Sequence, residues 1–210
     1  RVPLAAALGA RVVTDLKIGA SFPTDHPLTA GAPGVYATPD ALAHIREADV
    51  VLSLDWVDLG GTLDAAFGGK EPVATIIQIS QDHVLHRGWS MDYQALPTVD
   101  VMISADPDQA LPALCAALNV ATGGKEPDGA SALAGPGVDL AAGAIFMAHL
   151  ATGLWRAAEG RKLSFVHLPL GWDGALWHFR HPLDFLGSDG GGGIGGGPGI
   201  AVGAALALRD

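Results

Sequence analysis

A glycine run, two histidine pairs and a set of aspartates are the groups in this chain that could do chemistry. Eight glycines (Gly190 to Gly193, Gly195 to Gly197 and Gly199) fall within ten residues. At roughly 0.5–1 kcal/mol of extra ordering cost per glycine, fixing the run costs about 4–8 kcal/mol. Such a cost is tolerated where something must approach the backbone so closely that no Cβ fits. The dinucleotide spacing GxGxxG can be matched at Gly190/Gly192/Gly195 and at Gly191/Gly193/Gly196. In so glycine-rich a run the match is weak, and the acidic residue wanted about twenty positions on is not reached. His83 with His86, and His178 with His181, have an i,i+3 spacing that could set two metal ligands side by side. Neither pair has an obvious third ligand, although Asp184 follows the second, so surface or packing roles are the better reading. Asp15, Asp25, Asp55 and Asp58 cluster near the ends of expected strands, where open α/β sheets place their ligand crevice. Loop hydrogen bonding is the simpler role for each of them. No GxSxG elbow or Walker sequence is present, which leaves acyl transfer and P-loop phosphoryl transfer without an anchor.

The elements that would position these groups alternate. Val2 to Leu8 reads as a helix ended by Gly9, and Arg11 to Asp15 as a short β-branched strand. A proline-punctuated loop runs from Ile18 to Gly34. Thr38 can cap a helix that opens with Pro39. Asp49 to Asp55 reads as a buried strand, Gly60 to Phe67 as a short helix, and Val73 to Ser80 and Val99 to Ser104 as further strands. Asp106 can cap a helix running to Leu118. Apolar strands without period-two alternation, separated by helices, argue for a parallel sheet covered on both faces. Residues 119–137, rich in Gly, Pro, Ala and Ser, read as an interdomain linker. Beyond it a helix is expected over Val138 to Glu159 and a strand over Ser164 to Leu168. An aromatic run from Trp172 to Phe185 then leads into the glycines. Pro198 suits a first helical turn. Ile200, Val202, Leu206 and Leu208 with four alanines make the following helix apolar on nearly every side, which predicts a buried one.

Composition sets limits on function. The 210 residues are 49% hydrophobic and only 16% charged, a profile of a globular α/β chain with ample core. A net charge of −10 with no Lys/Arg cluster argues against nucleic acid and anionic membranes as partners. Cys115 stands alone, which suits a buried thiol in a reducing, cytoplasmic compartment. The most apolar long run, Leu140 to Trp155, is interrupted by His149 and too short to cross a bilayer. Trp56, Trp89, Trp155, Trp172 and Trp177 share no period, and packing roles are expected of them. Both ends fall where helices are expected, so the chain reads as a piece of a longer polypeptide.

Three stretches resemble the thiamine-diphosphate-dependent enzymes of the acetolactate synthase, benzoylformate decarboxylase and pyruvate decarboxylase group. Val12 to Gly34, with GASFPTDHPLTAG, resembles the strand, small-residue loop and HP-x-x-x-G segment of the family's central domain. Ala48 to Leu52 (ADVVL) resembles a strand of that domain. Gly190 to Ala205 (GGGGIGGGPGIAVGAA) resembles the loop and helix that open the diphosphate-binding domain. The resemblance implies an α/β fold: a Rossmann-like, parallel-sheet central domain over 1–118 lacking its first strand. The linker 119–137 follows, and 138–210 would be the truncated start of a second α/β domain. It implies that the Gly192 carbonyl accepts a hydrogen bond from the cofactor's amino group, beside Gly193, and that Ile194 wedges the cofactor into a bent shape. Thiamine diphosphate and Mg2+ are the implied cofactors, a 2-oxo acid the substrate, decarboxylation or carboligation the reaction, and a homodimer or homotetramer the assembly. The activating glutamate and the metal motif of such enzymes have no counterpart in these 210 residues, so the piece alone is expected to be inactive. Trp56 and Asp58 would crowd or repel a flavin diphosphate, so FAD is not expected. A nucleotide-binding oxidoreductase module and a non-catalytic homologue are the alternatives.

Overall fold

The computed structural model describes residues 1–82, 93–122, 131–141, 143–158, 160–169, 171–188 and 195–209. They form two compact units, one of Arg1–Val13 with Tyr36–Gly124 and one of Thr14–Val35 with Lys125–Asp210.

In the first unit, helix α1 (Val2–Leu8) stops at Gly9, whose φ of 59° places it in the left-handed region. The Gly9 N–H reaches Ala6 O and the Ala10 N–H reaches Ala5 O, the paired bonds that close a helix end. Helix α2 (Pro39–Glu47) starts as its sequence requires, with the Thr38 hydroxyl accepting the Ala41 N–H at 3.4 Å. Strands β1 (Val50–Leu54), β2 (Thr75–Ile79) and β3 (Val101–Ile103) form a parallel sheet in the order β1-β2-β3. Helix α3 (Leu59–Phe67) connects the first two strands, and α4 (Pro107–Ala117) follows the third, capped by Asp106 as expected.

Residues of alternate parity along the strands feed two cores. On one face Val51 and Ile76 pack with Leu59 and Leu63 of α3 and Ile45 of α2. On the other, Leu52 and Leu54 meet Leu4 of α1 and Leu111 and Cys115 of α4. This covered parallel sheet is the α/β class expected from the strand pattern. Cys115 is a free, buried thiol inside the second core. One expectation changes: β1 is not buried along its length, since Ser53 is its one buried residue and Val50 is 48% exposed. As an edge of a three-stranded sheet, β1 has a neighbour on one side only.

The second unit is organised around aromatic rings. Trp172, Trp177, Phe179 and Phe185 are buried with Leu16 and Ala151, and Phe165 packs against them. Phe165 meets Trp177 and Phe179 edge-on, at ring-centre distances of 4.9 and 5.8 Å. Helix α5 (Met147–Ala158) contributes Ala151, fully buried, to this core. Strand β4 (Ala132–Leu133) pairs antiparallel with β5 (Trp177–His178).

Loop Thr14–Val35 belongs to this unit rather than to the first, which differs from a continuous domain over 1–118. Backbone bonds hold it there: Thr24 N–H to Phe179 O at 2.8 Å and Ala20 N–H to Phe185 O at 2.8 Å. The strand expected at Arg11 to Asp15 is reduced to a single bridge between Asp15 and Gly34, because the Asp15 carboxylate turns the chain by accepting the Lys17 and Ile18 N–H groups. The strand expected at Ser164 to Leu168 is likewise one bridge, Phe165 to Phe185. The stretch expected to be pure linker contains β4. The helix expected from Val138 begins nine residues later, at Met147. Its start is set by the His149 ring, whose Nδ1 accepts the Phe146 N–H at 3.0 Å, while the Val138 N–H is taken by the Thr152 hydroxyl.

Helix α6 (Gly196–Ala207) follows the glycine run, with Pro198 in its first turn. It is not buried: Val202 is 62% and Leu206 60% exposed, so the burial expected from its all-round apolar surface is corrected. Among the described residues no helix is long and apolar enough to cross a membrane.

Candidate functional site

The carboxyl ends of β1 and β2 open into a cleft of about 280 Å³ in the first unit. Its shape follows from two aspartates in the left-handed region, Asp55 at φ 56° and Asp58 at φ 60°. They reverse the chain between β1 and α3. Asp58 then caps α3, one carboxylate oxygen accepting the Gly61 N–H at 3.3 Å and the other the Tyr93 N–H at 3.4 Å. Trp56, between them, is fixed by its indole N–H, which donates to the Thr62 hydroxyl at 2.8 Å. Gly60 admits the segment opposite, since a Cβ there would lie 2.7 Å from the Ala95 carbonyl oxygen.

The sheet supplies the floor. Ser53 and Gln78 are partners in register, and Gln78 is likewise paired with Met102. One step further along, the Ser80 hydroxyl donates a short hydrogen bond to Asp55 Oδ1 and accepts the Asp82 N–H at 2.9 Å. Gln78 and Ser80 are buried at 8% and 2% exposure. Asp55, Asp58 and Asp82 give the cleft three carboxylates, and no lysine or arginine is among its described lining residues. Its apolar side is formed by Trp56, Leu96, Pro97, Val99 and Met102.

Of the four aspartates singled out from sequence, the cleft brings together Asp55 and Asp58. Asp15 and Asp25 belong to the second unit. Asp15 holds its turn, and burial pushes its carboxyl above the ordinary 3.8 against the weaker pull of the Ile18 and Lys17 N–H groups and the Lys17 charge. Asp25 pairs with Arg180 Nε at 2.7 Å. His181 Nδ1 accepts the Leu183 N–H, and Asp184 accepts the Arg180 and His181 N–H groups, so this histidine pair and its carboxylate serve a turn. His83 and His86 lie outside the described residues. Among those described, no group of three or more His, Cys, Asp or Glu could hold a metal ion. Gly192, Gly193 and Ile194, and both GxGxxG matches in part, also lie outside the described residues. The described end of that run is Gly195, at φ 104°, which leads into α6. Gln78, Ser80 and Asp82 were not legible as site residues. Their signal is positional, at and just beyond the carboxyl end of a parallel strand.

A parallel sheet covered by helices, with a polar cleft at its strand ends, defines an α/β domain of the ligand-binding kind. The family profile described as "Thiamine pyrophosphate enzyme, central domain" matches residues 2–114, more than half of the 210. The chain belongs to this family of thiamine-pyrophosphate enzymes. No curated protein and no solved structure matches it.

Proposed function

We propose that this chain is part of a thiamine-diphosphate-dependent enzyme acting on 2-oxo acids, as a decarboxylase or carboligase of the acetolactate synthase-like group. In this proposal the enzyme works in the cytoplasm as a homodimer or homotetramer and uses Mg2+ to hold the cofactor's diphosphate. The observation that carries the reading is the central-domain family match over 2–114, with a glycine run bearing one bulky residue downstream of it. Gly192 offers its carbonyl to the cofactor's amino group, Gly193 keeps the adjoining main chain bare, and Ile194 supplies the one branched side chain that fits between two rings. The described flank suits a bare main chain: Gly195 adopts a φ of 104° that side-chain-bearing residues rarely take, with nothing within 4 Å of where its Cβ would be.

When bound, the cofactor supplies a carbon nucleophile that no protein side chain provides. The role of this chain is positional, since a reacting group held in a near-attack geometry gains rate through orientation. The test is thiamine-diphosphate- and Mg2+-dependent release of CO2 from pyruvate and benzoylformate by the full-length enzyme, with Ile194→Ala beside the parent. Loss of about 100-fold in kcat is expected for the variant, the cost of a misplaced reacting group. Absence of cofactor-dependent turnover, or an Ile194→Ala enzyme as fast as the parent, overturns the reading.

A further inference from the structure

We propose that the cleft at the carboxyl ends of β1 and β2 binds a small organic cation, an ammonium group on an apolar body. The inference is independent of the thiamine reading, since it concerns binding by this chain's own first unit.

Two buried polar groups point to a ligand. Gln78 lines the cleft at 8% exposure, and its side-chain amide makes no hydrogen bond with the described residues. Ser53, its partner in register, is 5% exposed with a hydroxyl that also lacks a partner. A buried polar group left without a partner costs about 1–3 kcal/mol, and two adjacent ones at the floor of a cleft are explained by an occupant that satisfies them.

Charge selects the kind of occupant. Three carboxylates face or rim the cleft and no cation is among its described lining residues, so the local potential attracts a cation and repels phosphate and carboxylate groups. A bare metal ion fits poorly: both Asp58 oxygens are engaged by backbone N–H groups, and no three-ligand cluster exists among the described residues. A volume of about 280 Å³ walled by Leu96, Pro97, Val99 and Met102 suits a ligand with an apolar portion. Trp56, tethered through its indole nitrogen, presents a ring that can stabilise an ammonium group by cation–π attraction.

The test uses benzylammonium, benzyl alcohol and phenyl phosphate as probes of the full chain. It follows the NMR signals of the Gln78 side-chain amide and the Trp56 indole, with calorimetry in parallel. Benzylammonium is expected to shift both signals saturably, and benzyl alcohol to bind at least about tenfold more weakly. Asp55→Asn is expected to weaken the ammonium about tenfold. The exposed Asp82→Asn, which leaves the Ser80 hydrogen bond intact, is expected to weaken it about threefold and serves if Asp55→Asn fails to fold. The proposal is overturned if benzylammonium produces no saturable shift at millimolar concentration. It is equally overturned if phenyl phosphate binds as well, or if a folded aspartate variant binds unchanged.

Discussion

Gly174→Ala tests how loop Thr14–Val35 is held in the second unit. Gly174 opens a single-turn 3-10 helix (Gly174–Leu176) whose cap is Asp173, with the Asp173 carboxylate accepting the Ala175 N–H at 2.9 Å. A Cβ on residue 174 would land on the Pro33 carbonyl oxygen and lie 2.9 Å from both the Pro33 carbonyl carbon and its Cγ. The obstacle is backbone, so it cannot be relieved by a rotamer change. Overpacking of this kind costs about 1–3 kcal/mol when the surroundings adjust. If the loop instead moves away, it gives up bonds such as Thr24 N–H to Phe179 O and Phe179 N–H to the Thr24 hydroxyl, each worth about 0.5–1.5 kcal/mol. Either route predicts a loss of about 2–3 kcal/mol. With a urea dependence of about 2 kcal/mol per molar, the unfolding midpoint falls by roughly 1 M. Gly143→Ala is the control, because nothing lies within 4 Å of its added Cβ, and it should stay within about 0.5 kcal/mol of the parent. A Gly174→Ala midpoint no lower than that of Gly143→Ala refutes the packing of Pro33 on Gly174.

Two further predictions concern local devices. The Asp15 carboxyl is raised above 3.8 chiefly by burial, so the folded chain holds that proton more tightly than the unfolded one. Its contribution is fully present below pH 3.8 and is lost as pH rises through the raised value. Asp15→Asn keeps an oxygen for the Lys17 and Ile18 N–H groups but removes the titration. Its melting temperature relative to the parent should therefore climb with pH across that window, and a flat or falling difference would contradict the assignment. Thr38→Ala removes the acceptor for the Ala41 N–H and should cost about 1 kcal/mol, read as a lower urea midpoint, whereas Thr38→Ser should retain most of it.

Where structure is made by neighbours in the chain, the sequence showed it. Thr38-Pro39 and Asp106-Pro107 open helices because cap and first turn are adjacent residues, and the β-branched runs at 50–54 and 75–79 gave a parallel sheet. What depended on distant partners was hidden. The extended-looking run at 11–15 becomes a turn because the Asp15 side chain is drawn to Lys17 and Ile18. The start of α5 depends on a histidine ring reaching back to Phe146. The cleft was half visible in the same sense: Asp55 and Asp58 sit where a strand visibly ends, but Gln78 joins them only through its register with Ser53. The apolar surface of α6 predicted burial because composition tells how much a helix should hide and not whether a neighbour is there to hide it.

The aromatic core of the second unit makes intrinsic fluorescence a lopsided probe. Trp155, Trp172 and Trp177 all lie in that unit, with Trp177 fully enclosed and in edge contact with Trp155 at a ring-centre distance of 5.9 Å. In the first unit the described tryptophan is Trp56, half-buried beside the cleft. Emission therefore follows melting of the aromatic core, while far-ultraviolet dichroism follows the parallel sheet and its helices as well. If the two units melt separately, the two optical signals will trace different curves from one sample.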